Sequence, residues 1–236
     1  MRSTTLTLAA SALALAAMAS AAPAEAQYTY SDAYDRPSAS PETFSLEIRV
    51  GGYRPDGTGG FDESFQANFG DEIGPMVGLE LDVLPLRIPY LGMVGVGLRF
   101  DWAKYSGKAR AATGTDNLDQ SQEFRLFGLP LLAVLRIDVL ARELDIPVVF
   151  TGKAGLHTVF TTIDNGARRE HSGVALGFSW GAQVALELDF INPRRAKSLD
   201  NEWGINHTAL LFELHGNSAG IGGSNLAWTF GLGMTF

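Results

Sequence analysis

The sequence predicts an all-β protein, an antiparallel up-and-down transmembrane β-barrel of eight strands. Three observations carry that prediction. Large apolar residues recur at every second position in eight separate stretches. The positions between them are small or polar, and the connections alternate between long and short. An outer-membrane barrel combines these features, with apolar residues toward lipid, a polar interior, short periplasmic turns and longer outer loops.

"FSLEIRV" sets Phe44, Leu46, Ile48 and Val50 against Ser45, Glu47 and Arg49. "MVGLELDVL" sets Val77, Leu79, Leu81 and Val83 against Gly78, Glu80 and Asp82, and "MVGVGLRFDW" sets Val94 to Trp102 against Gly95, Gly97, Arg99 and Asp101. "FRLFGLPLLAVLRID" is more apolar; Phe127, Leu129, Leu131, Leu135 and Ile137 form one face, and Pro130 is expected to introduce a bulge or a local irregularity. "VVFTGKAGLHTVF" sets Val148, Phe150, Ala154 and Leu156 against Thr151, Lys153, Gly155 and His157. In "SGVALGFSWGAQVALELDF", Val174, Leu176, Phe178 and Trp180 oppose Gly and Ala, with Glu187 on the small face. A helix would mix Glu with Trp, and a strand separates them. "HTALLFELH" sets Thr208, Leu210, Phe212 and Leu214 against His207, Glu213 and His215. "LAWTFGLGMTF" closes with Leu226 to Phe236 on one face.

Long, polar connections such as "RPDGTGGFDESFQANFGDE" and "SGKARAATGTDNLDQSQ" read as outer loops; "PLRIPY" and "LARELDIP" read as short turns. "INPRRAKSLDNEWGI" is long for a periplasmic turn and holds a candidate short helix on "PRRAKSLDNE". Ahead of the barrel, residues 1–26 read as a signal peptide, with Arg2, an Ala/Leu-rich run and the A-x-A-like Ala24-Glu25-Ala26. Residues 27–42, rich in Ser, Pro and Tyr, read as a flexible lead-in, and residues 43–236 as the barrel.

Composition narrows the function classes. The chain has 236 residues, a length suited to one barrel, and no cysteine, which excludes disulfides and thiol catalysis. A net charge of -8 argues against nucleic acid as a partner. The mean hydropathy of +0.06 is ordinary, as an alternating barrel also averages. Past the signal peptide no apolar run is long enough for a spanning helix.

Alternation does not say which face looks outward, and a soluble periplasmic barrel is the competing fold. The density of Gly, Ala and Ser on the small face suits a narrow eight-stranded lumen. Aromatics also sort by depth. With the first strand running outward, Trp102 and Trp228 fall at the loop end and Tyr90, Phe190 and Phe236 at the other. Trp180 belongs to the same interfacial set. The expected location is the cell outer membrane. The expected partners are outer-membrane lipid and lipopolysaccharide, an unidentified extracellular partner, and the barrel-assembly machinery, which would read the closing strand at Phe236.

"GGYRPD", "IPVVFTGKAGLHTVF", "GFSWGAQVALELDF", "NEWGINHTALLFELHG" and "LAWTFGLGMTF", in this order, resemble a family of small outer-membrane β-barrel proteins known mainly from myxobacteria. The resemblance spans roughly Phe44 to Phe236. It implies fold and location; the family has no established activity, so it implies no catalytic residues.

The inward face is expected to carry Glu47, Arg49, Glu80, Asp82, Arg99, Asp101, Arg125, Arg136, Lys153, His157, Glu187, His207 and Glu213. In so narrow a barrel these read as a mutually neutralising network that fills the lumen. The alternative is a narrow path for ions or small solutes. A lipid-modifying enzyme would need a nucleophile beside its histidine, yet His207 shares its face with Ala209, Glu213 and His215 and with no serine. No catalytic residue is assigned. His157, His207 and His215 lack close ligand spacing and His171 is placed in a loop, so no metal site and no cofactor are assigned either.

Overall fold

The structure is a computed structural model that describes residues 42–56, 61–71, 73–110, 117–164 and 169–236, all within the unit Ser38–Phe236. The signal peptide and all of the lead-in except Glu42 lie outside the described residues. Eight strands, β1 (Phe44–Tyr53), β2 (Gly74–Ile88), β3 (Gly92–Arg110), β4 (Asn117–Ile137), β5 (Val148–Asp164), β6 (Arg169–Glu187), β7 (His207–Asn217) and β8 (Ser224–Thr235), pair in sequence order and close on themselves. Every pairing is antiparallel. Closure runs from Ser45↔Thr235 to Gly52↔Trp228. Phe236 finishes the seam: its N–H donates to Phe44 O at 2.9 Å, and its carbonyl accepts from Thr43 and Phe44 N–H at 2.6 and 3.0 Å. No sheet edge is left open.

Side chains alternate as the period-two pattern predicts. Ile48, Val50, Leu156, Val174, Leu176 and Phe230 point outward and are exposed, while Arg49, Glu80, Arg99 and Glu213 point inward and are buried. Such a continuous apolar exterior is incompatible with water and matches hydrocarbon. No helix among the described residues is long and apolar enough to cross a membrane; the strands do so.

Several details differ from the sequence prediction. The 10–12 residues of β1, β7 and β8 suffice for one crossing, whereas β3 to β6 run for 17–21. Much of "SGKARAATGTDNLDQSQ", expected as a loop, is therefore strand, and the β3–β4 and β5–β6 hairpins extend past their neighbours on the loop side. His171 lies within β6, not in a loop. At Pro130 the expected irregularity is a gap in the ladder, not a bulge. Pro130 pairs with His157 on β5, and on the β3 side the pairing skips between Leu98↔Leu131 and Asp101↔Gly128 without a change of register. The bulge in this part of the barrel sits in β2 between Val83 and Leu86, beside Pro85. Arg125 faces outward, since Phe124 and Leu126 on either side of it are the buried residues.

Among the described residues three helices occupy connections. α1 (Phe61–Phe69) lies between β1 and β2 and ends at Gly70, whose φ of 83° allows its N–H to reach Gln66 O at 2.9 Å. α2 (Val139–Glu143) links β4 to β5. α3 (Pro193–Trp203) fills the long connection after β6, as expected. It starts with Pro193 after the Asn192 cap, whose side chain accepts from Arg195 N–H, and ends at left-handed Gly204.

Candidate functional site: a filled lumen

The pleat sends Glu47 and Arg49 of β1, Glu80 of β2, Arg99 and Asp101 of β3, Lys153 of β5 and Glu213 of β7 into the middle of the barrel. Register sets Glu47 directly opposite Glu80, a repulsive pair in isolation. Lys153 resolves it: its Nζ lies 3.1 Å from Glu47, 2.5 Å from Glu80 and 3.3 Å from Glu213. Arg49 reaches Glu80 and Glu213 at 2.8 Å each and also pairs with Glu47. Arg99 joins Asp101 and Glu213, both at 2.8 Å, and Gln183 of β6 donates to Glu47 at 3.1 Å. All of these side chains are buried, so each charge depends on its partners rather than on water. Glycines make the room. A Cβ at Gly78 would meet Asp101, one at Gly97 would meet Asp82, and one at Gly128 would meet His157.

The loop-side lumen is apolar. Tyr53, Met76, Ala103, Tyr105, Phe124, Leu126 and Val159 form a cluster into which α1 inserts Phe65. Its ring packs edge-on to Tyr105 at 5.0 Å and to Phe124 at 5.6 Å. The tyrosine hydroxyls here are matched: Tyr105 OH donates to Tyr53 O, Tyr53 OH donates to Gly222 O at 2.7 Å, and Asn217 donates to Tyr53 OH. His215 stacks on Tyr53, and His157 stands apart from the ionic cluster.

A second ionic network sits at the periplasmic rim. Arg136 pairs with Glu187 at 3.3 Å. His207 Nδ1 pairs with Asp189, and its Nε2 lies 3.3 Å from Glu42 and 3.2 Å from the Arg142 guanidinium. Arg142 of α2 pairs with Glu42 and, at 3.5 Å, with Asp138; Arg87 reaches Asp138 at 3.1 Å. Burial alone would raise the Glu42 carboxyl's pKa, but the hydrogen bond from His207 and the Arg142 charge outweigh it and hold the pKa at about 2. Glu42, placed in the lead-in by sequence, is thus part of the barrel.

The residues singled out from sequence therefore divide. Glu47, Arg49, Glu80, Arg99, Asp101, Lys153 and Glu213 meet in one cluster, with Asp82 at its edge beside Glu47 and Glu80; Arg136, Glu187 and His207 meet at the rim; His157 joins neither. Sequence reasoning missed Gln183, Glu42, Arg87, Asp138, Arg142 and Asp189. The readable signals among them were the period-two alternation that puts Gln183 and Asp189 on the face of Glu187 and the Asp138–Arg142 pair at i,i+4 spacing.

On the outer surface, Trp102, Trp180 and Trp228 project outward, and β-pairing sets Trp102 beside Phe127 and Trp228 beside Leu214 near the loop ends. Tyr90, Phe190 and Phe236 lie at the opposite end, in or next to the periplasmic connections; α3 adds an exposed Trp203.

An apolar belt between two aromatic girdles, around a buried ionic core, decides the environment. This is an outer-membrane β-barrel. No family model and no curated protein matches the chain. Among solved structures it is similar to the outer membrane protein OprG of Pseudomonas aeruginosa, with a TM-score of 0.50 at 10% identity over 83% of this chain and 97% of that one. Neisserial surface protein A matches with a TM-score of 0.48 at 13% identity over 82% and 97% of the two chains. Ail of Yersinia pestis, solved with the heparin analogue sucrose octasulfate, matches with 0.46 at 13% over 83% and 97%. The OprG likeness agrees with the closed up-and-down topology.

Proposed function

We propose that this barrel works through its outer surface rather than through its lumen, as a structural or surface-interaction protein of the outer membrane. The carrying observation is the filled interior. The Phe65 cluster, the Lys153–Arg49–Glu80–Glu213 network and the periplasmic layers of Leu84, Leu132, Val149 and Leu211 succeed one another along the axis. A solute would have to displace all three, breaking buried ion pairs on the way.

The surface on offer is the pair of projecting hairpins with the loop-side belt. Just loopward of Trp102 and Phe127, Lys104 and Arg125 stand side by side on the outward face, both bridged to Glu123, at 2.7 and 2.6 Å. That height and charge suit lipopolysaccharide phosphates, the first partner proposed. The closing strand with Phe236 is proposed as the segment the assembly machinery engages. The second reading, a narrow ion pore, draws on the charged lumen. Planar-bilayer recording of the purified barrel separates the two: the filled lumen predicts no stepwise conductance, and reproducible single-channel steps would establish the pore instead.

A further inference from the structure

The apolar exterior continues past the ends of the strands. Among the described residues, three of the four most exposed large apolar side chains lie in the periplasmic connections: Tyr90 at 85%, Trp203 at 71% and Ile191 at 67%. Leu144, Ile146 and Phe190 in the same connections are exposed as well. In water these residues would enlarge an already extensive apolar surface. At the headgroup level they prolong the face that the strands turn to lipid.

α3 adds a second, independent signal. No residue of it is buried, so the interior of the barrel does not dictate its sequence. Ala196, Leu199 and Trp203 recur at i, i+3 and i+7 along one face, and Arg194, Lys197 and Asn201 recur at the same spacing along the opposite one. Arg195 stands at the border between them. Arg194, Arg195 and Lys197 are exposed, and none is ion-paired among the described residues. They occupy the N-terminal part of the helix, the positive end of its dipole, and no acid in the first turn offsets them. Helix stability alone would place such bases at the other end. An amphipathic helix with Trp and Leu on one face and bases on the other lies in the plane of a bilayer, its apolar face at the boundary of headgroups and acyl chains. The chain is placed for this: it leaves the girdle at Phe190, enters α3 at Pro193 and begins β7 at His207, four residues after Trp203.

We infer that α3 lies on the periplasmic leaflet as an interfacial helix, with Leu199 and Trp203 at the acyl boundary and Arg194, Arg195 and Lys197 on the phosphates of anionic phospholipids. Guanidinium and ammonium groups on long apolar stems reach such phosphates while the stems cover apolar surface. This surface is at the opposite end of the barrel from Lys104 and Arg125 and does not depend on what the loop side binds.

The test uses the full barrel folded into vesicles of phosphatidylcholine mixed with phosphatidylglycerol. Subtracting the emission of Trp203→Phe from that of wild type isolates Trp203 from the other three tryptophans. Its emission is expected to be quenched by lipid brominated near the headgroup end of the chains and to be shielded from acrylamide in the water. Brominated phosphatidylglycerol is expected to quench it in preference to the same fraction of brominated phosphatidylcholine, by about five-fold or more. In the combined variant Arg194→Gln, Arg195→Gln and Lys197→Gln, that preference is expected to disappear. Trp203 quenched by acrylamide and not by brominated lipid would overturn the inference by leaving α3 in water. Trp203 reached by neither would overturn it by placing α3 against protein. An equal preference for phosphatidylglycerol in wild type and variant would overturn the role of the three bases. The wild-type depth and preference stand without the variant, so they decide the matter even if it fails to fold.

Discussion

The two ionic networks of this barrel use the same side chains under different conditions. In the middle of the lumen the members are strand residues spaced two apart, such as Glu47 with Arg49 and Arg99 with Asp101, all nearly inaccessible to water. At the periplasmic rim the strand-end residues Arg87, Arg136, Glu187 and His207 meet Glu42, Asp138, Arg142 and Asp189 from the connections, and water reaches part of the network: the Arg142 side chain is 28% exposed and that of Arg87 37%. The central network carries more acids than bases. The rim sets Glu42, Asp138, Glu187 and Asp189 against Arg87, Arg136, Arg142 and His207. Burial is what separates a network that the barrel cannot lose from one that only fastens its end.

That contrast predicts a gradient of effects. The largest belongs to Lys153→Ala, which leaves Glu47, Glu80 and Glu213 facing one another without their ammonium. Urea unfolding in micelles is expected to show a loss of about 3–5 kcal/mol. A loss below 1 kcal/mol would show that water enters the middle of the lumen. Next is Phe65→Ala, which empties the apolar plug at a cost of about 3 kcal/mol, confined to the docking of α1. Hydrogen exchange is expected to rise over residues 61–69 while the strands stay protected; unchanged exchange there would remove α1 from the plug.

At the rim, Glu42→Gln is expected to cost about 2 kcal/mol near neutral pH. Because the folded pKa of Glu42 lies below its unfolded value, its contribution is present in full above the unfolded value, near pH 4.5. It is lost as pH falls toward about 2. Wild type and variant are therefore expected to differ at pH 7 and converge at strongly acid pH; a constant difference would mean that the effect is one of packing. Smallest is Lys104→Ala on the exterior, worth under about 1 kcal/mol of stability. Its expected effect is on binding of lipopolysaccharide relative to phospholipid, read by co-purification.

How far each network was legible follows from the same geometry. A strand in a barrel has a strict period, so Glu47, Glu80 and Lys153 announce their inward direction through the apolar residues on either side of them. Arg136 and Glu187 at the rim do the same, but other rim residues have no such neighbours. Glu42 stands before the first alternating stretch and Arg87 follows the Pro85 irregularity, so no periodicity points at them; Asp189 continues the alternation of Glu187, but its partner His207 lies across the long connection. The lengths of β3 to β6 were misjudged for a related reason. Beyond the membrane both faces of a hairpin are polar, and "SGKARAATGTDNLDQSQ" loses its alternation although the ladder continues from Lys104↔Arg125 to Lys108↔Ser121. The role of α1 was hidden too. Phe65 and Phe69 sit one helical turn apart in a stretch that looks like a polar loop, and only the closed barrel supplies the Tyr105 and Phe124 rings that hold them.

The central claim is that one closed barrel turns its apolar face to lipid and seals its charges inside. It is tested most directly by expressing the full chain, isolating the outer-membrane fraction and comparing unheated with boiled samples on a denaturing gel. The account predicts membrane-associated protein that migrates as a compact species until boiled, because each backbone group is satisfied within the barrel. Protein recovered in the periplasmic extract, with the same mobility before and after boiling, would contradict it.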